Sequence, residues 1–402
     1  MSEAIDLCKK LVRFQTDNNH LADDLGVLKA GMKLEALGSS NNVSPALEFL
    51  QAYLEGCGFQ AEIVTFADKA GRKVDNLLAK IGTGHPHLLF GGHIDVVPAG
   101  DLSLWKYPPY EAADDGEYLY GRGVSDMKGG IACFVAAVKD FLAENKLRGA
   151  ITLMISGDEE ESVVDGTERL LEYAAARGEQ YDFALVGEPS NPKELGEAIK
   201  IGRRGDVFFK IISKGTAGHT AYPQLADNPI SHLVKFLADL TAEPLDQGNA
   251  FFEPSTMALT TFDVNNPASN VIPSEASAAV DVRFNSEHSG ASLTDYVQKK
   301  AAAAEGDIRA EAQIYGESFL SSKDGACALL VEAVRKVTGR TPEYSTGGGT
   351  SDARFIKNYC QVVEFGLTNE TIHKTNERAR LSDIDKLQRI YGEFLDSYFR
   401  KD

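Results

Sequence analysis

Five short polar clusters in the sequence contain the side chains that most readily bind divalent metal ions. The clusters are 91–95 (GGHID), 121–130 (GRGVSDMKGG), 158–161 (DEEE), 187–190 (GEPS) and 371–377 (TIHKTNE). Their histidine and carboxylate groups suit Zn²⁺, Co²⁺ or Mn²⁺, whereas iron–sulfur clusters and Cu(I) prefer thiolates. Taken together, the clusters predict a metal site.

Each cluster taken alone also has a purely structural interpretation. His93 and Asp95 point to the same side of an extended chain, so Asp95 can orient the imidazole, but an ordinary surface pair has the same spacing. Asp126 precedes a predicted helix and could simply cap it. The adjacent acids 158–161 could form a solvated face, although at the mouth of a buried strand their mutual repulsion calls for a cation.

The clusters hold more carboxylates than a single ion needs. A carboxylate that bridges two ions allows them to lie about 3.5 Å apart, the arrangement that stabilises a hydrolytic transition state. A remaining carboxylate can then act as general base. The residues therefore favour metal-assisted hydrolysis.

The elements that must position these clusters can be predicted from the alternation of apolar and amphipathic segments. Buried strands are predicted at 87–90, 150–155 and 183–186, with helices at 130–142 and 168–176. This alternation is typical of βαβ units, a mostly parallel sheet with helices on both faces. Because such sheets bind ligands at the carboxyl ends of their strands, the clusters that follow the strands are expected to meet there.

The middle of the chain has a different pattern, which predicts a second domain. Strands are predicted there at 207–213, 256–262 and 276–284, and helices at 229–240 and 292–304. The earlier pattern then returns, with helices at 326–338 and 382–399 and a strand at 361–365. We therefore expect an α/β protein in which 1–204 and 316–402 form one domain and 205–315 is an inserted, smaller α+β domain. The segment 17–44 predicts no chemistry.

Composition and charge limit the classes of partner. The chain has 402 residues, 43% of them hydrophobic, which is enough to build a core. Its 41 Lys and Arg against 59 Asp and Glu give a net charge of −18, which opposes binding to nucleic acid or to an anionic membrane. The first residues lack an apolar signal core, and no long uncharged apolar stretch follows, so we expect a cytoplasmic protein. The five scattered cysteines predict no disulfide framework.

The clusters also resemble those of a known family. The strings GGHIDVVPAG, GRGVSDMKGG, SGDEEE, VGEPS and TIHKTNE, in this order, resemble the dizinc amidohydrolases of the aminoacylase and carboxypeptidase clan. Further strings, GRRGD, GHTAYPQLADNPI, DQGNAFFEPSTM, SNVIP and TGGGTSDARF, are similar to a bacterial branch of that clan that hydrolyses N-succinyl amino acids. The similarity extends from about residue 74 to the C-terminus.

The resemblance implies a metal-binding or catalytic role for each matching residue. His93 and Glu188 would bind one Zn²⁺, Glu160 and His373 would bind the second, and Asp126 would bridge the two ions. Glu159 would be the general base and Asp95 would orient His93. Two Zn²⁺ per subunit are therefore expected, with Co²⁺ or Mn²⁺ as possible substitutes.

Substrate-binding and dimerisation roles are implied in the same way. Arg203 would clamp a substrate carboxylate with its guanidinium fork. In similar enzymes the inserted domain is a dimerisation lid, and its histidine, here His219, reaches the partner's active site and donates a hydrogen bond to the oxyanion. The other positions that match substrate contacts are Tyr222, Asn270, Gly349, Thr350 and Asn369.

The function that these roles imply is a homodimeric amide hydrolase acting on a small anionic N-acyl amino acid, an N-succinylated diaminopimelate in lysine and diaminopimelate biosynthesis. A related deacylase, such as an acetylornithine deacetylase, an aminoacylase or a carboxypeptidase, is the nearest alternative. A non-catalytic metal- or peptide-binding module is another. Three departures from the family pattern are the long segment 17–44, Ala353 in place of a common glycine, and Asp206, which puts a negative charge near the expected anion site.

Overall fold

The computed structural model of the chain describes residues 2–17, 43–67, 71–160 and 165–400. Two compact units are formed. Unit 1 contains residues up to 201 together with 321–345 and 351 onward, and unit 2 contains 202–320 with 346–350. The segment 17–44, for which the sequence predicts no chemistry, lies outside the described residues except at its ends.

The helices and strands follow in chain order. The helices are α1 Glu3–Val12, α2 Ser44–Gly56, α3 Gly129–Glu144, α4 Thr167–Ala175, α5 Pro229–Leu240, α6 Gly290–Ala303, α7 Ala326–Thr338, α8 Ala353–Ile356 and α9 Leu381–Phe399. The strands are β1 Gln60–Ala67, β2 Lys73–Thr83, β3 His87–His93, β4 Ala113–Asp114, β5 Tyr118–Tyr120, β6 Gly149–Ser156, β7 Phe183–Val186, β8 Ala198–Lys200, β9 Gly202–Arg203, β10 Gly205–Lys214, β11 Gly218–His219, β12 Thr256–Asp263, β13 Val271–Ile272, β14 Glu275–Phe284, β15 Asp307–Gly316, β16 Phe319–Leu320, β17 Glu343–Ser345, β18 Gln361–Glu364 and β19 Arg378–Arg380. The long predicted strands and helices therefore lie where the sequence places them, with ends that differ by a few residues.

Unit 1 is built on an eight-stranded sheet of order β1-β2-β6-β3-β7-β18-β8-β17. Its centre, β6-β3-β7-β18, is parallel, as is the β8–β17 pair. The prediction of a mostly parallel sheet is wrong at one edge, where β1 and β2, and β2 and β6, pair antiparallel. β8 and β18 also pair antiparallel. Only residues 68–72 separate β1 from β2 in sequence, too few for the crossover that a parallel pair requires. The sheet is mixed.

Both faces of this sheet are buried. In β3, Leu88 and Phe90 join the large core that includes residues of α1, α3 and α9, and Leu89 between them points to the opposite face and is also fully buried. On that opposite face α4 and α8 pack against each other, α4 against β6 and α8 against β18. Helices therefore cover both faces, and the carboxyl ends of β3, β6, β7 and β18 are left at one edge of the sheet.

A small sheet in unit 1 joins two of the polar clusters. Its order is β19-β5-β4, and Arg378 pairs with Tyr120. The cluster 121–130 follows β5 and the cluster 371–377 precedes β19, so this pairing brings together loops that are far apart in sequence. These strands were not predicted, because two- and three-residue strands have too little sequence to show a period.

Unit 2 is an antiparallel sheet of order β12-β14-β10-β15 covered by α5 and α6. In β10 the alternate residues Val207, Phe209 and Ile211 are fully buried in the core shared with these helices. At the edge of the sheet, β12 is exposed along most of its length, including Leu259 and Phe262. No helix among the residues that the structure describes is long and apolar enough to cross a membrane.

Candidate metal centre

The Asp126 carboxylate lies between two histidines in unit 1. Its Oδ1 atom is 3.3 Å from His93 Nε2, and its Oδ2 atom is 3.2 Å from His373 Nε2. Each histidine has a second carboxylate beside it: Glu188 Oε1 lies 3.4 Å from His93 Nε2, and Glu160 Oε1 lies 2.9 Å from His373 Nε2. The structure thus brings all five predicted metal ligands together.

The donor atoms have the spacing that metal ions require. His93, Asp126 and Glu188 form one group, and Asp126, Glu160 and His373 form another, each with its ligand atoms within 4.8 Å of one another. Two ligand atoms on one tetrahedral Zn²⁺ lie about 3.3 Å apart, given bond lengths near 2.05 Å. The observed separations of 2.9–3.4 Å are close to that value. Nitrogen and oxygen donors in this arrangement fit two ions that share one carboxylate.

His93 is oriented by a neighbouring backbone group. It ends β3, and its Nδ1 donates a hydrogen bond of 2.9 Å to the carbonyl oxygen of Asp95. The Asp95 side chain lies further off, with Oδ1 3.7 Å from Nδ1. Its carboxylate accepts hydrogen bonds from the backbone N–H groups of Glu159 and Glu160, the shortest being 2.9 Å. Asp95 therefore supports the loop after β6 as well as His93.

Asp126 lies in an irregular turn that ends before α3 begins. Its φ of −123° and ψ of 91° are non-helical, and α3 starts only at Gly129, so Asp126 does not cap that helix. The turn opens at Gly123, whose φ of 82° favours glycine. A Cβ at Gly130 would lie 2.4 Å from the Gly187 carbonyl oxygen, so this glycine lets the start of α3 pack against the loop that carries Glu188.

His373 is held on a strained loop. Its φ of 58° is in the left-handed region, which costs a non-glycine residue about 1 kcal/mol or more. Hydrogen bonds of 3.1 Å link Thr371 and Arg378 in both directions, between the Thr371 hydroxyl and the Arg378 backbone, and so close the loop. The surrounding contacts thus impose a conformation that places the imidazole beside Asp126.

Protons on the two histidines offset part of the negative charge. Hydrogen bonds to Asp126 and Glu160 raise the pKa of His373 to about 10. Burial lowers the pKa of His93, but hydrogen bonds to Asp126 and Glu188 outweigh it and raise the pKa well above the ordinary value. Burial similarly raises the pKa of Asp126, and its hydrogen bonds with His373 and His93 more than reverse this. Metal ions that bind here must displace those protons.

The remaining carboxylates have raised pKa values. Burial, with the nearby charge of Asp126, raises the pKa of Glu188 to about 7. Burial also raises the pKa of Glu159 well above its ordinary range, and the charges of Glu188 and Asp352 add to this. For Asp95, burial raises the pKa to about 6. Such a concentration of acids favours a bound cation.

Glu159 lies within reach of the same centre. One of its oxygens belongs to a further group with His93 and Glu160, again with ligand atoms within 4.8 Å of one another. The residue is partly exposed. A carboxylate in this position can take a proton from a water molecule that attacks a carbonyl carbon.

Two buried charged residues beside the centre have no role in the prediction. Glu377 lies in the cluster that carries His373, and Arg122 lies in the cluster that carries Asp126. They form an ion pair of 2.9 Å and are almost fully buried. Their position within the two clusters could have indicated a role at the metal centre. A charged residue inside a polar motif is usually exposed, however, and the sequence does not show that these two are buried.

The predicted substrate residues lie in three places. Asn369 is in unit 1, where its backbone N–H donates to the Asn191 carbonyl oxygen at 2.8 Å, just after the loop of Glu188. In unit 2, Arg203 Nη1 donates to the carbonyl oxygen of Gly349 at 2.7 Å, next to Thr350. Arg203 is buried, and Gly349 is exposed.

A second cluster in unit 2 is exposed and contains His219, Tyr222 and Asn270. β11, which ends at His219, pairs with β13, and the Asn270 carbonyl accepts a 3.1 Å hydrogen bond from the Thr220 N–H. The rings of His219 and Tyr222 are 5.9 Å apart. His219 Nδ1 accepts a hydrogen bond from the Ala221 N–H, which leaves Nε2 as the ring nitrogen that can donate to a ligand.

Asp206 is paired with an arginine within unit 2. The side chain is buried, and its Oδ2 atom lies 2.9 Å from Arg283 Nη1. Arg283 also pairs with Asp281 at 2.9 Å. One guanidinium is therefore shared by two carboxylates, and it offsets only part of their negative charge.

Comparison with known proteins is consistent with this geometry. Residues 89–397 match the sequence profile described as Peptidase family M20/M25/M40. A protein of Rhodopseudomonas palustris named succinyl-diaminopimelate desuccinylase is 48% identical over 360 residues, which cover 88% of this chain and 93% of that protein.

Two solved structures have a similar fold. An M20 family metallo-carboxypeptidase from Sulfolobus solfataricus superposes with a TM-score of 0.75, 19% identity and 99% coverage of both chains. A dinuclear metal-binding peptidase of the M20 family from Bacillus subtilis superposes with a TM-score of 0.64, 15% identity and coverage of 98% of this chain and 97% of its own.

Proposed function

Because the chain belongs to peptidase family M20/M25/M40, we propose that it is a metal-dependent succinyl-diaminopimelate desuccinylase. It hydrolyses N-succinyl-LL-2,6-diaminopimelate to succinate and LL-2,6-diaminopimelate, in lysine and diaminopimelate biosynthesis, and we place that reaction in the cytoplasm. The observation that carries the proposal is one carboxylate, Asp126, with one oxygen directed at each of two histidines that have their own carboxylates.

Two Zn²⁺ ions would be held by the residues around Asp126. His93 and Glu188 would hold one ion, and Glu160 and His373 the other, with Asp126 shared. When bound, such a pair lowers the pKa of water and acts as a Lewis acid toward a carbonyl group. Co²⁺ and Mn²⁺ accept the same ligand types and are expected to substitute.

Glu159 moves the proton during hydrolysis. Its carboxylate takes a proton from the attacking water as the new C–O bond forms at the amide carbon, and it returns that proton to the nitrogen as the C–N bond breaks. The products are a carboxylate and a free amine.

The substrate carries negative charge, and unit 2 supplies donors for it. Arg203 is the fork that binds a carboxylate, and Gly349 and Thr350 lie beside it. Tyr222, Asn270 and, in unit 1, Asn369 complete the proposed substrate contacts. His219 donates a hydrogen bond to the oxyanion of the transition state, a contribution that is about 3 kcal/mol for one such donor.

We propose that the protein is a homodimer formed through unit 2. Among the strands that the structure describes, β12 is at the edge of its sheet, so we propose that backbone donors and acceptors on its outer side pair with a second copy. Leu259 and Phe262, 50% and 45% exposed, lie on the same strand. In such a dimer His219 would serve the site of the partner subunit.

The test combines metal content with turnover of two substrates. Zinc bound per chain is measured together with the release of free amine from N-succinyl-LL-diaminopimelate and from N-acetylornithine. We expect two Zn²⁺ per chain and much the higher kcat/KM for the succinyl substrate. Preference for acetylornithine would indicate a related deacylase, and bound zinc without hydrolysis of either would indicate a binding module.

A further inference from the structure

A buried ion pair lies directly behind the proposed metal centre. Glu377 and Arg122 are 1% and 2% exposed, and Glu377 Oε2 lies 2.9 Å from Arg122 Nη1. The other contacts of the Glu377 carboxylate are with the turn that carries Asp126. Oε2 accepts from the Gly123 N–H at 3.0 Å, and Oε1 accepts from the N–H groups of Ser125 and Asp126 at 2.9 and 3.2 Å.

Arg122 extends the same network to two further segments. Its Nη1 donates to the carbonyl oxygen of Lys374, the residue after His373, at 3.2 Å. Its Nη2 donates to the carbonyl oxygen of Pro98 at 3.2 Å, on the segment that follows His93 and Asp95. The guanidinium also lies over the ring of Trp105, 5.3 Å from its centroid. One ion pair therefore binds three segments that carry metal ligands.

We propose that Glu377, together with Arg122, is a positioning residue that sets the affinity of the metal centre by fixing the backbone of Asp126 and the loop of His373. This inference rests on the proposed function, since it takes Asp126 and His373 as ligands. Groups that orient metal ligands typically change affinity 10- to 100-fold when they are replaced.

General stabilisation is a poor explanation for this pair. A buried ion pair loses much of its Coulomb attraction to desolvation, so apolar residues of similar size usually serve stability as well. Glu377 also adds a carboxylate close to a centre already crowded with acids. Its two oxygens instead accept hydrogen bonds from the backbone N–H groups of one irregular turn. Because this turn is not helical, these N–H groups have no regular backbone acceptors and need a side chain. The guanidinium suits this position because its two terminal nitrogens together donate to a carboxylate and to two carbonyls on different segments.

The test compares zinc affinity in variants of similar stability. Glu377→Gln keeps the size of the side chain but turns an NH₂ group toward backbone donors, and Arg122→Lys keeps the charge but loses the fork. The control is Leu395→Ala in α9, which removes buried apolar contacts and no hydrogen bond. The full-length chain is stripped of metal, Zn²⁺ alone is added in competition with a chromogenic chelator, and thermal unfolding of each variant is recorded.

We expect Glu377→Gln to bind Zn²⁺ 10- to 100-fold more weakly than the parent chain, and Leu395→Ala to remain close to the parent. A loss that exceeds that of Leu395→Ala by less than threefold would overturn the inference. If Glu377→Gln does not fold, Arg122→Lys is judged by the same threshold. A parent chain that binds no zinc would refute the proposed metal centre itself, whereas a parent that binds zinc as tightly as its variants would refute only the positioning role.

Discussion

The replacement of Glu159 by Gln tests whether Glu159 is the general base and not a metal ligand. Gln has the same shape as Glu but cannot take a proton, and the Glu159 backbone N–H would still bond to Asp95. Burial and the negative charges of Glu188, Asp352 and Glu160 raise the pKa of Glu159, so they disfavour its ionised form. Gln has no ionised form and avoids this repulsion. We therefore expect the fold to be at least as stable and the two zinc ions to remain bound.

The magnitude follows from the role of the side chain. A positioned general acid–base group contributes about 10²- to 10⁴-fold to the rate. At about 1.36 kcal/mol per factor of ten, this corresponds to about 2.7–5.4 kcal/mol in the activation free energy. The loss should be in kcat, because Glu159 acts on the reacting atoms and is not one of the proposed groups that bind the substrate carboxylates.

The assay measures kcat, KM and zinc content on the same preparation. Glu160→Gln is the matched control, since the adjacent carboxylate belongs to the group around His373 and its loss should weaken zinc binding. Two outcomes for Glu159→Gln would refute the reasoning. A kcat within tenfold of the parent at full zinc content would exclude Glu159 as the base, and a loss of zinc equal to that of Glu160→Gln would make it a ligand.

Metal binding, dimer formation and the buried His87 each give a further measurable outcome. The pKa of His373 is raised to about 10, and a metal ion needs the neutral imidazole, so Zn²⁺ binding should release protons. The apparent Zn²⁺ affinity should therefore increase from about pH 6 to about pH 8, which calorimetry in several buffers would record. Equal affinities at the two pH values would contradict this. Leu259→Asp places a charge on the proposed dimer interface, so the variant should sediment as a monomer. Without His219 of the partner subunit, its kcat should also be lower. A fully active monomer would refute the proposed role of unit 2 in catalysis. Burial lowers the pKa of His87 below 6.5, so the unfolded chain binds more protons and stability falls as the pH drops through that value. His87→Phe should therefore lose less stability than the parent between about pH 7.5 and about pH 5.5 in urea unfolding, and an identical loss would contradict this.

Much of unit 1 could be predicted because its central strands and helices are long enough to show a period. β7 is Phe183–Val186 in both the prediction and the structure, and α7 is likewise Ala326–Thr338. Strands β1 and β2 of the antiparallel edge were not predicted, although they are 8 and 11 residues long. Their direction could not have been read either, since a strand's sequence carries little information about the direction of its neighbour. Short strands such as β5 and β19 were not predicted, because three residues are too few to show an alternation of apolar and polar side chains.

The sequence by itself determined which side chains could bind metal, because histidines and acids followed apolar strands whose carboxyl ends meet in an α/β fold. Tertiary structure alone decided how they meet. His373 and Glu160 are 213 residues apart in sequence yet 2.9 Å apart in space, and Asp126 receives support from Glu377, 251 residues away. Contacts of that kind depend on the pairing of distant loops, which local patterns of hydrophobicity cannot encode, since those patterns report which face of an element is buried and not which element covers it.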